Sequence, residues 1–494
     1  MRRMPPVSLY VTLCPPLLLA AAVWTPSPAH AAPAFTPCQI GAQDSPLHLQ
    51  AKCTTLTVPE DRANPNGRKI GLHIAVLSAR VSRPAADPLF FIAGGPGQAA
   101  TEAFVEEAPA FDRIRSDRDI VLLDQRGTGE SNPLNCPASP DTGTNLAATQ
   151  IARQVQVCLK QLSGDPRFYT TSVAVQDLDA VRAALGYGSI DIYGISYGTR
   201  VALEYLREFP QHVRSMILDG VLPADLVLGP GVSLDAQRAL DRIFARCAQD
   251  RACNQAFPDL PGTLAALEKR FAHQRVTVQL RDPLSGAPRS GQLSWPDITG
   301  AVRLMSYASE TAALLPLLLH QAGVEHDYAP LMAESIIFTD EVTGGIAYGM
   351  NAAVLCTEDV PFYTQAPATD KAMQDTYVGV TPAAMLAKTC RFWPRGVLAP
   401  DFKQAVVSDK PVLLISGEDD PITPPANAAH AASTLRNSLS IVVPGQGHGN
   451  AYRGCIPRLM ARFVERASVK HLDTACVKSI RPFPFFTSFT GPGP

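Results

Sequence analysis

Short apolar runs alternate along the chain with longer segments in which apolar residues recur every three to four positions. The short runs are typical of buried strands, and the longer segments are typical of amphipathic helices. Buried strands are predicted at 88–92, 119–123, 189–193, 215–219, 412–416 and 440–443, with helices such as 173–185 and 199–209 between them. This alternation predicts an α/β protein whose central sheet is mostly parallel and is flanked by helices.

Between about residues 222 and 400 the strand pattern stops and helical periodicity dominates. Helices are predicted at 233–247, 261–273, 296–308 and 312–321, with one β-hairpin candidate at 276–293. Before the first buried strand, 54–59 and 69–78 are predicted to pair around the Asn64-Pro65-Asn66-Gly67 turn. We expect 32–222 and 401–480 to form the two parts of a core, 223–400 to form a mainly helical cap, and 481–494 to form a C-terminal tail.

The N-terminus has the pattern of a secretory leader. Arg2 and Arg3 precede an apolar run over 7–24, and Ala29-His30-Ala31 is a small-residue cleavage site. We predict a signal peptide at 1–31 and therefore a secreted or periplasmic protein. An uncleaved membrane anchor is the alternative, which the two prolines within the apolar run disfavour. No later segment approaches the roughly 20 apolar residues of a membrane span, so no stable membrane insertion is expected after cleavage.

The cysteine count agrees with export. The chain has 11 cysteines, and removal of Cys14 with the leader leaves an even number. The remaining cysteines are Cys38, Cys53, Cys136, Cys158, Cys247, Cys253, Cys356, Cys390, Cys455 and Cys476. Sequential pairing is the simplest expectation because each neighbouring pair closes a short loop, although sequence does not determine connectivity. A zinc site is the alternative, but CxxC and HExxH spacings are absent from the sequence, and we expect no metal and no cofactor.

Composition narrows the range of partners. Of the 494 residues, 46% are hydrophobic and 18% are charged, as in a globular protein with a large core. The formal net charge is -2, and neither a basic patch nor an acidic tail stands out. We therefore expect no nucleic-acid partner. The oligomeric state cannot be read from these features.

The chain contains one serine in the setting of a nucleophile. Gly194-Ile195-Ser196-Tyr197-Gly198 has the form GxSxG, follows a predicted strand and leads into a predicted helix. A serine hydroxyl is a poor nucleophile, so an enzyme must hold it on a tight turn where a base and oxyanion donors converge. GxSxG alone occurs by chance, but the flanking strand and helix favour a nucleophile elbow over an ordinary loop. Ser196 is therefore the candidate nucleophile.

A candidate acid and base follow in the order expected after such a serine. Asp420 comes three residues after Gly417, at the end of the predicted strand 412–416, and His448 lies in a glycine-rich loop after the strand 440–443. Asp419 is the alternative acid. The order serine, acid, histidine is typical of α/β-hydrolases.

Two backbone amides are candidates for the oxyanion hole. One belongs to Tyr197, the residue after the nucleophile. The other belongs to Gly95 in the Gly94-Gly95-Pro96-Gly97 turn, with Gly94 as the second choice, because proline has no amide hydrogen. An ordinary glycine-proline turn is the structural alternative.

These motifs together resemble a known family. GGPG at 94–97, DQRGTGES at 124–131 and GISYG at 194–198 resemble the α/β-hydrolase serine peptidases that include the proline iminopeptidases and tripeptidyl aminopeptidases. The resemblance extends from about Cys53 to Cys476 and implies an α/β-hydrolase fold with a cap that limits access to short chains. It also implies that Asp124 and Arg126 shape the site as a structural ion pair or turn organiser, without a chemical role. Ala93 and the many cysteines look like the secreted tripeptidyl aminopeptidase branch.

The resemblance implies an aminopeptidase acting on short peptides with a free N-terminus. An ammonium group calls for a carboxylate, and Glu358 is our candidate because a disulfide at Cys356 would hold its segment rigid. The first alternative is a secreted carboxylesterase or lipase-like enzyme acting on small esters, because the acyl-transfer chemistry is the same. The second alternative is an inactive binding protein, which the presence of every expected catalytic position disfavours.

Overall fold

The computed structural model describes residues 33–43, 45–136, 146–367 and 370–492, together with Met1 and Pro6, and leaves out the side chains of 339–343. The predicted signal peptide at 1–31 therefore lies outside the described residues, apart from those two. Within the described ranges, no helix is both long and apolar enough to cross a membrane.

The strands form one large sheet and two small ones. The strands are β1 (Thr36–Ile40), β2 (Leu49–Pro59), β3 (Lys69–Leu77), β4 (Leu89–Ile92), β5 (Ile120–Leu123), β6 (Ile190–Ile195), β7 (Val213–Asp219), β8 (Val276–Arg281), β9 (Pro288–Leu293), β10 (Val412–Gly417), β11 (Ser438–Val443), β12 (Phe486–Ser488) and β13 (Gly491–Pro492). The nine-stranded sheet has the order β1-β2-β3-β5-β4-β6-β7-β10-β11. Six neighbouring strands of this sheet pair in parallel, namely β5, β4, β6, β7, β10 and β11. The β1–β2, β2–β3 and β3–β5 pairs are antiparallel. The predicted mostly parallel α/β sheet is confirmed.

Helices cover both faces of this sheet and fill the long insertion. They are α1 (Ala100–Phe111), α2 (Ala148–Gln161), α3 (Thr171–Ala184), α4 (Tyr197–Glu208), α5 (Pro230–Gln249), α6 (Arg251–Ala256), α7 (Leu260–Phe271), α8 (Trp295–Met305), α9 (Ser309–Ala312), α10 (Leu315–His320), α11 (Ala329–Gly345), α12 (Tyr348–Glu358), α13 (Lys371–Gln374), α14 (Thr381–Thr389), α15 (Pro425–Ala432) and α16 (Ile456–Arg466). The predicted helix at 312–321 is shorter, because α10 begins only at Leu315.

Strand β6 shows why the strands of the sheet appear in the sequence as continuous apolar runs. Ile190 and Ile192 point to one face and belong to the same apolar cluster as Val201 of α4, while Tyr193 points to the other face and its ring packs on Phe111 of α1. Both faces of the strand are buried, so neither set of alternate positions needs to be polar. The carboxyl ends of β4, β6, β10 and β11 meet at one edge, because these strands are parallel.

The insertion between β7 and β10 has an apolar cluster of its own. Leu240, Phe244, Leu264 and Leu319 belong to this cluster, and the β8–β9 hairpin contributes Leu293. Helix α12 lies outside this cluster, since its Met350 and Val354 pack into the core of the large sheet. The predicted hairpin at 276–293 is confirmed. The boundary of a cap at 223–400 remains a proposal.

The C-terminal tail packs on the insertion. Phe485 is buried within its apolar cluster, and the amide of Phe486 donates a hydrogen bond to the carbonyl of Ala313 at 3.1 Å. Among the residues that the structure describes, five disulfides join Cys38 to Cys53, Cys136 to Cys158, Cys247 to Cys253, Cys356 to Cys390 and Cys455 to Cys476. The expected sequential pairing is confirmed.

Candidate active site

Ser196 occupies a sharp turn between β6 and α4. Its φ of 56° and ψ of -126° lie in a region that residues with a side chain rarely adopt. The turn is tight because a Cβ at Gly198 would lie 2.7 Å from the carbonyl oxygen of Ala93. The Ser196 amide donates to the carbonyl of Asp219, at 2.8 Å. Strand, turn and helix thus present the serine at the carboxyl edge of the sheet, in the geometry of a nucleophile elbow.

His448 lies beside the end of β7, close to the turn that carries the serine. A Cβ at Gly220, the residue after Asp219, would lie 2.8 Å from His448 Cε1. The amide of His448 donates to the carbonyl of Tyr307 at 2.7 Å, and the Tyr307 ring meets the imidazole edge to face with centroids 5.2 Å apart. The insertion therefore supplies one wall of the histidine site.

Asp420 is the carboxylate that the structure brings to the imidazole. Its Oδ2 lies 2.8 Å from His448 Nδ1, and its Oδ1 accepts from the amides of Ile422 and Thr423 at 2.9 and 2.8 Å. The Thr423 hydroxyl also donates to Asp420 Oδ2, at 2.9 Å. Burial opposes ionisation, but the charge of His448 and these hydrogen bonds hold the pKa of Asp420 below its ordinary value.

The same pair changes the basicity of the histidine. Burial lowers the pKa of an imidazole, yet the charge and hydrogen bond of Asp420 outweigh burial, so the pKa of His448 is raised. An oriented imidazole of raised pKa is suited to accept a proton from a serine hydroxyl.

Asp419, the alternative acid, faces away from the histidine. It pairs with Arg242, whose Nε lies 2.7 Å from Asp419 Oδ1, and with Arg246, both from α5. The neighbouring Glu418 also pairs with Arg242, at 2.5 Å. These ion pairs join the insertion to the loop that carries Asp420.

The Gly94–Gly97 turn lies against the serine. A Cβ at Gly94 would lie 3.0 Å from the Ser196 Cβ. Within the described ranges, neither the Gly95 amide nor the Tyr197 amide donates a hydrogen bond to the protein, as oxyanion donors require. The start of α12 fixes the turn, because the Asn351 side-chain amide donates to the Pro96 carbonyl at 2.9 Å and the Ala347 amide to the Gly97 carbonyl at 3.0 Å.

Glu358 is placed differently from our prediction. Its side chain is fully buried, and its oxygens accept from the amide and hydroxyl of Thr171 at 2.7 and 2.8 Å. Arg200 of α4 lies 3.5 Å away, and burial raises the pKa of Glu358 to about 7 despite this cation. A carboxylate enclosed by protein groups is a poor receptor for a substrate ammonium, so the environment argues against the predicted role.

Arg200 of α4 connects this helix to the start of the insertion and to the end of α12. It forms a bidentate pair with Asp359 at 2.8 and 2.9 Å and donates to the carbonyl of Leu226 at 3.1 Å. Asp359 also accepts the amide of Leu228, at 2.8 Å. We name Arg200, Glu358 and Asp359 the buried charge cluster.

Asp124 and Arg126 both organise structure, but with separate partners. Asp124 accepts from the amide and hydroxyl of Thr101 at 3.0 and 2.9 Å. Arg126 is fully buried and pairs with Asp177 at 2.6 and 2.7 Å. No pair between Asp124 and Arg126 is present in the described part of the chain.

A cavity of about 310 Å³ opens beside the Gly94–Gly97 turn, lined by Gly97, Ala99, Glu102, Gly129 and residues 344–348 among others.

Sequence reasoning missed Glu102, Tyr307, Thr423 and Asp219. Thr423 carried a usable signal, because an aspartate side chain often accepts the backbone amides of the residues that follow it in a turn. No sequence signal identified Tyr307, because its contact with His448 joins the insertion to a loop about 140 residues later in the chain.

Comparisons with known proteins agree with this fold. A family model described as alpha/beta hydrolase fold matches residues 87–256, and one described as TAP-like protein matches residues 375–476. Serine protease Hip1 of Mycobacterium tuberculosis (strain H37Rv) is 25% identical over 480 residues, covering 87% of this chain and 88% of that protein. Tripeptidyl aminopeptidase of Streptomyces coelicolor is 25% identical over 483 residues, covering 90% and 86%. Carboxylesterase B of Mycobacterium tuberculosis (strain CDC 1551 / Oshkosh) is 28% identical over 455 residues, covering 82% of each.

The fold and these matches define a hydrolase of the α/β-hydrolase class. The chain is a serine hydrolase related to the peptidases of this class that include the tripeptidyl aminopeptidases.

Proposed function

We propose that this protein is an exported aminopeptidase that releases an N-terminal residue or a short peptide through an acyl-enzyme on Ser196. The observation that carries the proposal is the hydrogen bond between Asp420 and His448, at 2.8 Å, beside a serine held at positive φ. The TAP-like match over 375–476 and the tripeptidyl aminopeptidase relative support a peptide substrate.

In the proposed acylation, Ser196 Oγ attacks the scissile carbonyl carbon while His448 Nε2 takes its proton. Asp420 holds the imidazole by Nδ1 and stabilises the imidazolium. The carbonyl oxygen becomes an oxyanion that accepts hydrogen bonds from the Gly95 and Tyr197 amides. When the intermediate collapses, the carbon–nitrogen bond breaks, and the imidazolium gives its proton to the departing amine.

Deacylation repeats these steps with water as the nucleophile. His448 takes a proton from water, the resulting hydroxide adds to the acyl carbon, and the ester bond to Ser196 Oγ breaks. The serine oxygen receives the proton back from the imidazolium. The products are the released N-terminal residue or short peptide and the regenerated enzyme.

Recognition of a free N-terminus requires a polar partner for the ammonium group. Because Glu358 is enclosed, we assign this role to Glu102, a half-buried carboxylate in the cavity beside the Gly94–Gly97 turn. Burial and the charge of Asp124 raise the pKa of Glu102, and a bound ammonium would favour its ionised form. The proposed substrate is therefore a short peptide with a free N-terminus.

The test compares matched chromogenic peptides with free or acetylated N-termini, using the purified protein. We expect cleavage of the free peptides alone, loss of that cleavage in Ser196→Ala, and a KM raised about tenfold in Glu102→Gln for peptides but not for esters. Product mass separates release of one residue from release of three. Equal cleavage of acetylated peptides, or activity retained in Ser196→Ala, would contradict the proposal.

A capped carboxylesterase is the second candidate, favoured by the similarity to carboxylesterase B. Short-chain and long-chain esters belong in the same assay, because acyl-transfer chemistry serves both substrate types. Ester turnover without peptide cleavage would favour the esterase. Export is tested separately by N-terminal sequencing of the secreted or periplasmic protein, which we expect to begin at Ala32.

A further inference from the structure

Asp219 connects the two loops that carry the proposed nucleophile and base. It ends β7 and is fully buried. Its backbone carbonyl accepts the amide of Ser196 at 2.8 Å. Its carboxylate Oδ2 accepts the amide of Asn450, two residues after His448, at 2.7 Å. One residue therefore holds the serine turn through its main chain and the histidine loop through its side chain.

The Asp219 carboxylate lies between Tyr193 of β6 and the loop that carries His448. Oδ2 also accepts the hydroxyl of Tyr193, at 3.0 Å, while Oδ1 is buried and has no hydrogen-bond partner among the described residues. Burial raises the pKa of Asp219 to about 6, opposed by these hydrogen bonds and by His448. The hydrogen bonds and the nearby imidazole thus favour the charged form of this carboxylate against the effect of burial.

A second acid lies behind it on α1. Glu107 has a buried Oε2 without a hydrogen-bond partner in the described ranges, and burial together with the charge of Asp219 raises its pKa to about 8. Burial disfavours the charged form of Glu107 more than that of Asp219, so Asp219 is the acid of the two that ionises more readily. The other groups that act on these two acids are Glu106, Arg453, His448, Asp420, Tyr193 and Tyr452.

We propose that Asp219 is a positioning residue that holds the Ser196 turn against the His448 loop and places a second carboxylate charge behind the imidazole. This inference rests on the function proposed above. A negative charge near His448 stabilises the imidazolium that forms as the serine attacks. The bridge also maintains the spacing of two loops that lie far apart in the sequence.

Asp219→Asn tests the charge, because the amide oxygen can still accept from Asn450 and Tyr193. We expect kcat on peptides to fall roughly fivefold, KM to stay unchanged, and the acid limb of the kcat/KM profile to move down by about half a pH unit. The control is Asp191→Asn, which removes another buried carboxylate at the opposite end of β6, where it binds Arg214 and Ser215. We expect the control to leave the acid limb in place.

Tyr193→Phe provides a second test if Asp219→Asn does not fold. Loss of the Tyr193 hydroxyl removes a hydrogen-bond donor to Asp219 and raises the pKa of Asp219 further. As the pH is lowered, the carboxylate is therefore protonated at a higher pH in the variant than in the wild type. We expect kcat to be reduced about threefold near pH 7 and to recover toward the wild-type value near pH 9. If the ratio of the Tyr193→Phe kcat to the wild-type kcat does not change with pH, the inference is contradicted.

The outcomes separate this inference from the proposed function. Loss of activity in Ser196→Ala with an unmoved acid limb in Asp219→Asn overturns the inference and leaves the function intact. Activity retained in Ser196→Ala overturns the proposed function and this inference with it. A shifted acid limb in both Asp219→Asn and Asp191→Asn also overturns it, because the effect is then not specific to the carboxylate behind His448.

Discussion

At the scale of single residues, the environment of each carboxylate decides what it does. Asp419 and Asp420 are neighbours in sequence, yet one pairs with arginines of α5 and the other with the imidazole of His448. Asp420 also accepts two amides from its own turn through Oδ1, and these hold its other oxygen at His448. Two carboxylates that are neighbours in the sequence can therefore have different chemical roles.

The raised pKa of His448 predicts the pH dependence of the reaction. Catalysis needs the neutral imidazole as base, so activity is lost as the pH falls through the pKa of this group. Because Asp420 raises that pKa, we expect the acid limb of kcat/KM to lie above the ordinary histidine value of about 6.5. In Asp420→Asn we expect kcat to fall by about 10⁴. A pH–rate series on wild type and variant measures both, and an acid limb at or below about 6.5 in the wild type would contradict the first expectation.

At the scale of elements, the buried charge cluster joins α3, α4, α12 and the start of the insertion. Arg200 comes one turn after the nucleophile on α4, and Asp359 follows the last residue of α12. Their bidentate pair is fully enclosed, so each charge depends on its partner. The cluster thereby couples the nucleophile helix to the folding of the insertion.

Removal of one partner from this cluster should destabilise the protein strongly. Asp359→Ala leaves Arg200 buried beside Glu358 alone and also frees the amide of Leu228. We expect a loss of about 3–5 kcal/mol in the free energy of unfolding, measured by urea denaturation. The control is Asp409→Ala, which breaks an exposed pair with Arg436 and should leave stability nearly unchanged. Equal effects of the two substitutions would refute this account.

At the scale of the whole molecule, five disulfides close local loops in both the sheet core and the insertion. Cys356–Cys390 encloses the longest of them, with a sequence separation of 34, and ties α12 to the residue after α14. Such bonds form in oxidising compartments, which agrees with export.

Loss of the Cys356–Cys390 disulfide should weaken the insertion. In the Cys356→Ser, Cys390→Ser double variant we expect the free energy of unfolding to fall by about 2–5 kcal/mol, because the unfolded chain gains freedom. Thermal denaturation with and without a reducing agent measures the change. The matched control is removal of Cys247–Cys253, whose separation of 6 constrains the unfolded chain less and should cost less. A larger loss in the control would contradict the chain-entropy explanation.

The sequence by itself determined the parallel strands of the large sheet and the order of Ser196, Asp420 and His448 along the chain, because these follow from local periodicity and from motif positions. The structure decided the disulfide connectivity, which matches the sequential pairing that was the simplest expectation. Tertiary structure alone decided the partners of Asp419, the enclosure of Glu358 by Thr171 and Arg200, and the bridge from Asp219 to Asn450. These contacts join segments separated by more than a hundred residues. Their geometry follows from how the parallel sheet and the insertion pack, and periodicity along the chain carries no record of that packing.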